Sequence, residues 1–153
     1  MKVIEVKDFN SHISIAIIVS RFNAEVTESL LEDAVTRLQE LEVANENITI
    51  VHVPGAIEIP LIAERLAQTK KYQAIIALGA VIRGETDHYD YVCEQVSDGC
   101  QRVMLDNQLP VVFGVLTTNN VDQALARTGG KKGRKGREAA DVALEMISIL
   151  EQI

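Results

Sequence analysis

Residues 79–91 combine glycines, an arginine, acidic side chains and a histidine, which are residue types that can bind an anion and move a proton. A wholly apolar run at 74–78 precedes them, and apolar residues at helical spacing follow. Glycines let a ligand approach the backbone closely, and free amides at a helix start attract anions. An imidazole at this helix start could transfer protons near neutral pH. The sequence predicts a site for an anionic small molecule with His88 at its edge; an ordinary helix-start histidine is the alternative.

Three more loops follow predicted strands, at 20–24, 54–59 and 117–119, and ligands of open α/β sheets bind at this edge. Phe22 could stack on a planar heterocycle there, or it could fold back onto the core. Glu58 could accept hydrogen bonds from substrate hydroxyls, or it could cap the amides of the next helix. Together with residues 79–88, these loops offer Phe22, Asn23, Glu58, Arg83, Thr86 and His88.

The basic, glycine-rich segment 129–136 is similar to a phosphate-binding loop in composition only. It lacks the Walker spacing and no apolar strand precedes it, so a solvated basic turn is the favoured interpretation. The sequence has no GxGxxG motif, no CxxC motif and no histidine–cysteine cluster. A dinucleotide site and a metal site are therefore both unsupported.

Four apolar runs predict the strands that position these loops, at 13–19, 48–53, 74–79 and 111–116. Residues 3–6 could add a short edge strand that pairs elsewhere. Helices are predicted at about 26–41, from Pro60, from an N-cap at Asp87, at about 121–127 after a cap at Thr117 or Thr118, and from about Arg137. This alternation predicts an α/β fold with a parallel sheet and right-handed crossovers, in one domain spanning residues 1–153.

The composition excludes several classes of protein. Of the 153 residues, 47% are hydrophobic, which excludes a disordered chain, and the net charge of −7 argues against binding to nucleic acid or a membrane surface. No apolar run approaches the ~20 residues of a membrane span. Cys93 and Cys100 would lie two turns apart on one helix, too far for a disulfide, which favours reduced thiols in a cytoplasmic protein.

Five segments in this order resemble the lumazine synthase family, which catalyses the penultimate step of riboflavin biosynthesis. The segments are 20–23 (SRFN), 53–60 (VPGAIEIP), 79–89 (GAVIRGETDHY), 113–118 (FGVLTT) and 127–136. Each segment alone is a weak signal, but the set covers essentially the whole chain.

The resemblance implies a flavodoxin-like three-layer αβα sandwich with a four-stranded parallel sheet. It implies a transferase that condenses 5-amino-6-(D-ribitylamino)uracil with 3,4-dihydroxy-2-butanone 4-phosphate to 6,7-dimethyl-8-ribityllumazine, without a metal or organic cofactor. It also implies a homopentamer with sites between neighbouring subunits. An icosahedral capsid of sixty subunits is the larger alternative, and riboflavin synthase is a candidate partner.

The resemblance also implies a role for each site residue. His88 would shuttle protons. Phosphate would be bound by Glu85, Thr86 and Arg127. The remaining substrate contacts would come from Phe22, Asn23, Ala56, Ile57, Glu58, Ala80, Val81, Ile82, Phe113 and Lys135.

The chain departs from the family pattern at several positions. Ile57 replaces a common aromatic residue and Ala80 a frequent threonine. Lys132 and Arg134 add positive charge, which could tune phosphate capture or disturb packing between pentamers. A non-catalytic shell protein and a phosphoryl-ligand binding module are the competing hypotheses. The combination of His88, Arg127 and Phe22 favours the enzyme.

Overall fold

The computed structural model, which describes residues 1–8, 12–130 and 132–153, contains a central sheet of four parallel strands. These strands are β1 (Ile15–Ser20), β2 (Ile48–Val53), β3 (Ala74–Ile82) and β4 (Val111–Thr118). Their order across the sheet is β2-β1-β3-β4. Every residue of β1 and nearly every residue of β3 is buried, because the two central strands are covered on both faces. The predicted parallel sheet is confirmed.

Helices cover both faces of the sheet. They are α1 (Ala24–Glu40), α2 (Ile59–Gln68), α3 (His88–Asn107), α4 (Val121–Leu125) and α5 (Lys135–Leu150). One core joins α1 and α5 to Ile15, Ile17 and Ile76, whereas the other joins α2 and α3 to Ile18 and Ile75. The alternation along each strand thus sends neighbouring side chains into opposite cores. This arrangement confirms the flavodoxin-like three-layer αβα sandwich.

The carboxyl ends of the strands differ from the prediction. β3 continues past Gly79 to Ile82, and β4 continues to Thr118, because residues 79–82 pair in register with 115–118. The loop that leads to α3 is therefore shorter and spans 83–87. The predicted cap of α4 at Thr117 or Thr118 is wrong. Asn120 caps α4 instead, since its side-chain oxygen accepts the Gln123 N–H at 2.8 Å.

Two segments at the periphery also differ from the prediction. The basic segment contains a small antiparallel ladder, β5 (Thr128–Gly130) with β6 (Gly133–Arg134), rather than only an irregular turn. Residues 3–6 form no strand within the chain. This segment lies beside α5, where the Lys7 N–H donates to Ser148 Oγ at 2.8 Å and Gln152 Nε2 donates to the Glu5 carbonyl. A pairing of residues 3–6 with another chain stays a prediction.

Both cysteines are free thiols. Burial raises the pKa of Cys100 to about 11, so this thiol is protonated and inert at neutral pH. Within the described ranges, no helix combines the length and apolar character needed to span a membrane. The same residues contain no group of three histidine, cysteine or carboxylate side chains able to hold a metal ion.

Gly136 of α5 packs tightly against α1, because a Cβ atom placed there would overlap the Leu30 carbonyl group. We expect Gly136→Ala to lower the free energy of unfolding by about 1–3 kcal/mol, although alanine favours helices, since the clash is with backbone. Urea denaturation measures this change. Gly84→Ala is the control, because a Cβ atom at Gly84 would meet no other atom within 4 Å. Equal stability of the two variants would contradict the tight α1–α5 contact.

Candidate active site

A cavity of about 390 Å³ opens at the carboxyl edge of the sheet. This volume is within the usual range for small-molecule sites. Its wall comes from the loop after β1, the loop after β2, the end of β3 and the start of α3. The lining residues are Phe22, Asn23, Gly55, Ala56, Ile57, Glu58, Ala80, Val81, Ile82, Gly84, Thr86, His88, Tyr89 and Val92. Most of the predicted site residues therefore share one cavity.

The loop after β1 is tied to both neighbouring strands. The Phe22 N–H donates to the Pro54 carbonyl at 3.0 Å, and Asn23 Nδ2 donates to the Ala80 carbonyl at 2.8 Å. Asn23 adopts a left-handed backbone conformation with φ of 63°, which asparagine tolerates better than most residues. The Phe22 side chain is left 72% exposed, so the alternative that it folds back onto the core is wrong. Its ring is free to stack on a planar ligand.

The loop after β2 brings Glu58 to the cavity. Residues Ala56–Glu58 form a single 3-10 turn, and Glu58 then occupies the N-cap position of α2. Its side chain makes no capping hydrogen bond to that helix. The carboxylate is therefore available to ligand hydroxyls, and the capping alternative is not realised. Ile57 is partly exposed beside it and contributes an apolar wall.

His88 is the first residue of α3 and is exposed at the cavity wall. Asp87 occupies the N-cap position as predicted, but its side chain makes no capping hydrogen bond. The His88 N–H instead approaches Thr86 Oγ1 at 3.4 Å, which is a long and weak contact. Glu85 is exposed and does not line the cavity, so its predicted phosphate contact stays a prediction.

Phe113, Arg127 and Lys135 do not line the His88 cavity. Phe113 and Lys135 line a separate recess of about 380 Å³ between β4 and α5. Arg127, Lys132 and Lys135 line a neighbouring recess of about 310 Å³ with Gln123 and the end of β4. Arg127 Nη1 donates to the Gln123 carbonyl at 2.7 Å, which fixes the guanidinium at the wall. The predicted site residues thus divide into two groups on one chain.

The two added cations in the basic segment differ in their surroundings. Arg134 forms two hydrogen bonds with the Asp33 carboxylate of α1, and this contact raises the pKa of the guanidinium. Its charge is therefore balanced within the chain. Lys132 lies in the Arg127 recess, held there by its N–H, which donates to the Ala126 carbonyl at 2.9 Å. Lys132 is thus placed to act on a bound anion and Arg134 is not.

Sequence reasoning did not assign Tyr89 and Val92 to the site. Both side chains pack against the core between the sheet and helices α2 and α3, and because the first turns of α3 lie at the sheet edge they also reach the cavity wall. For Val92 the available signal was its position four residues after His88, because residues four apart share a helix face. Burial raises the pKa of the Tyr89 phenol, which stays protonated at neutral pH.

The chain matches known proteins along nearly its whole length. The family model described as 6,7-dimethyl-8-ribityllumazine synthase matches residues 12–151. A 6,7-dimethyl-8-ribityllumazine synthase of Coxiella burnetii (strain Dugway 5J108-111) is 57% identical over 143 residues, which cover 94% of this chain and 95% of that protein. Proteins of the same name from strains CbuG_Q212 and RSA 493 / Nine Mile phase I are each 56% identical with the same coverage. The chain therefore belongs to the 6,7-dimethyl-8-ribityllumazine synthase family.

Proposed function

We propose that this protein condenses 5-amino-6-(D-ribitylamino)uracil with 3,4-dihydroxy-2-butanone 4-phosphate, giving 6,7-dimethyl-8-ribityllumazine, phosphate and water. This reaction is the penultimate step of riboflavin biosynthesis. The family match supports this proposal. The observation that carries it is that one cavity contains the exposed ring of Phe22, the carboxylate of Glu58, which makes no capping hydrogen bond, and the imidazole of His88. The ring can stack on a heterocycle, the carboxylate can accept hydrogen bonds from a polyol chain, and the histidine can transfer protons.

The pyrimidine substrate fits the wall formed by the loops after β1 and β2. Phe22 stacks on the ring, and the backbone of residues 80–82 at the end of β3 recognises its polar edge, while Asn23 holds the Phe22 loop against β3. Glu58 accepts hydrogen bonds from ribityl hydroxyls, and Ala56 and Ile57 pack against the same chain. Ile57 supplies apolar contact without stacking, since it carries no ring.

His88 supplies the acid–base chemistry. Imine formation, phosphate elimination and ring closure each move a proton, and one imidazole at the cavity wall can serve these steps in turn. The start of α3 contributes the phosphate-binding amides around Glu85 and Thr86, where the helix dipole favours an anion. No step requires a metal ion or an organic cofactor.

The other half of the site comes from a second copy of the chain. Phe113, Arg127 and Lys135 line recesses separate from the His88 cavity, so one chain offers two incomplete half-sites. A head-to-tail ring joins the two half-sites at every interface. We take this ring to be a homopentamer, with a sixty-subunit capsid and an association with riboflavin synthase as further assemblies. In this arrangement Phe113 covers the pyrimidine, Lys135 helps hold it and Arg127 binds the phosphate.

We place the protein in the cytoplasm, where its two free thiols would stay reduced. Nucleic acid and membranes are not among the proposed partners, in keeping with the net charge of −7.

The direct test of this function mixes the protein with both substrates and follows the absorbance of the lumazine. We expect product only when both substrates are present. His88→Ala should lower turnover at saturating substrate by about 100-fold, because acid–base groups typically contribute that much. Affinity for the pyrimidine, measured by calorimetry, should change far less. A wild-type protein that binds both substrates without forming lumazine would favour a binding module or a shell protein.

Arg127 should affect only the substrate that carries phosphate. Arg127→Ala is expected to raise the KM of the butanone phosphate by at least about tenfold, because the guanidinium grips phosphate with two parallel hydrogen bonds. Arg134→Ala is the matched control, since Asp33 already holds that guanidinium, and it should leave both KM values unchanged. Inorganic phosphate should compete less well against Arg127→Ala than against wild type. Loss of pyrimidine binding in Arg127→Ala, with the phosphate substrate unaffected, would contradict the assignment.

A further inference from the structure

Arg83 is the first residue after β3, and its side chain contacts the loop between β4 and α4 and the first turn of α3, of which only the turn lines the cavity. On one side, Arg83 Nε donates to Asn119 Oδ1 at 3.1 Å, in the loop between β4 and α4. On the other side, the guanidinium carbon lies 4.2 Å from the centroid of the Tyr89 ring, and Nη1 lies 3.6 Å from Asp90 Oδ1. Arg83 therefore joins a fixed loop to the first turn of α3.

The Asn119 side of this contact is rigidly held. The Asn119 N–H donates to Gln123 Oε1 at 2.8 Å, and the Arg83 N–H donates to the Thr118 carbonyl at 2.8 Å. Asn120 caps α4 in the same turn. The loop after β4 is thus a firm anchor for the guanidinium.

The first turn of α3, in contrast, has no side-chain cap, although Tyr89 packs against the core between α2 and α3. The Asp87 side chain makes no capping hydrogen bond, and the nearest substitute is the 3.4 Å approach of the His88 N–H to Thr86. Residues 84–88 are all exposed, and a Cβ atom placed at Gly84 would have no neighbour within 4 Å. Tyr89 and Asp90, the residues that Arg83 contacts, directly follow His88.

We propose that Arg83 is a positioning residue, which holds the first turn of α3 against the β4–α4 loop and so fixes His88 for proton transfer. The proposal rests on the role given to His88 in the proposed function. Arginine suits the task because its planar guanidinium can stack on Tyr89 while its edge bonds to Asn119. The pair with Asp90 is half-exposed, and such pairs contribute little alone, so the stacking and the bond to Asn119 carry the effect.

The test compares Arg83→Met, which keeps the length of the side chain but removes the guanidinium, with Arg83→Lys and wild type. Arg83→Met should lower kcat about tenfold with a much smaller change in KM, because a small displacement of a reacting group is costly. Arg83→Lys should be intermediate, since it keeps the charge over Tyr89 and loses the bond to Asn119. The control is Arg102→Met, which removes an exposed ion pair with Asp106 within α3 and should leave kcat unchanged.

Two further readouts separate positioning from a general loss of structure. In a His88→Ala background, Arg83→Met should lower kcat less than about twofold, because the effects of coupled residues are not additive. Hydrogen exchange at residues 87–91 should become faster in Arg83→Met, while the midpoint of thermal unfolding stays close to wild type. The proposal would be overturned if Arg83→Met still lowered kcat tenfold in the His88→Ala background, or if amide hydrogen exchange at the start of α3 were unchanged.

The outcomes also distinguish failure of this proposal from failure of the proposed function. If the wild type forms no lumazine, the function is wrong, and the exchange measurement still decides whether Arg83 holds the turn. If His88→Ala has normal turnover, both the role of His88 and the catalytic consequence of Arg83 are overturned. If His88→Ala is impaired but Arg83→Met has wild-type kcat, only the positioning proposal fails.

Discussion

The candidate site depends on the parallel pairing of β1 and β3 in the middle of the sheet. Their register, with Val19 opposite Leu78, brings the ends of both strands to one edge, and β2 joins β1 on the other side. Hydrogen bonds between main-chain groups, and one from the Asn23 amide to Ala80, then tie the loops together above this edge. The shape of the cavity is therefore set by a buried apolar sheet and by the Asn23 contact, which leaves Glu58 and His88 available to a ligand.

The predicted site residues lie in separate recesses of the same chain. Phe22 is 72% exposed, and a large apolar side chain that is this exposed often marks a binding surface. The recess lined by Arg127, Lys132 and Lys135 also contains Glu138, so its cations outnumber its carboxylates and an anion would be favoured there. A head-to-tail contact between copies would explain both features with one interface. Sharing the site in this way would make catalysis conditional on assembly.

The sheet was predictable because its strands are apolar or nearly apolar runs, of which 74–78 is apolar throughout. The end of β3 was not predictable, because glycine usually ends a strand, whereas Gly79 pairs with Val115 inside the sheet. The residues around the cavity followed from the topological rule for strand ends. Sequence spacing does not determine side-chain directions. It therefore could not show whether Phe22 and Glu58 face solvent, or that Phe113 and Arg127 line other recesses.

The central claim is that two chains complete each site, and mixing two impaired variants tests it most directly. Phe22→Ala and Arg127→Ala chains are dissociated together, reassembled in equal amounts and assayed for lumazine. A shared site predicts about one quarter of wild-type activity, because an interface works only when each neighbour supplies its intact half. Each variant reassembled alone should stay impaired, and wild type treated in the same way should recover. A mixed oligomer that forms normally but is no more active than the single variants would contradict the account, because a site built within one chain could never be restored by mixing.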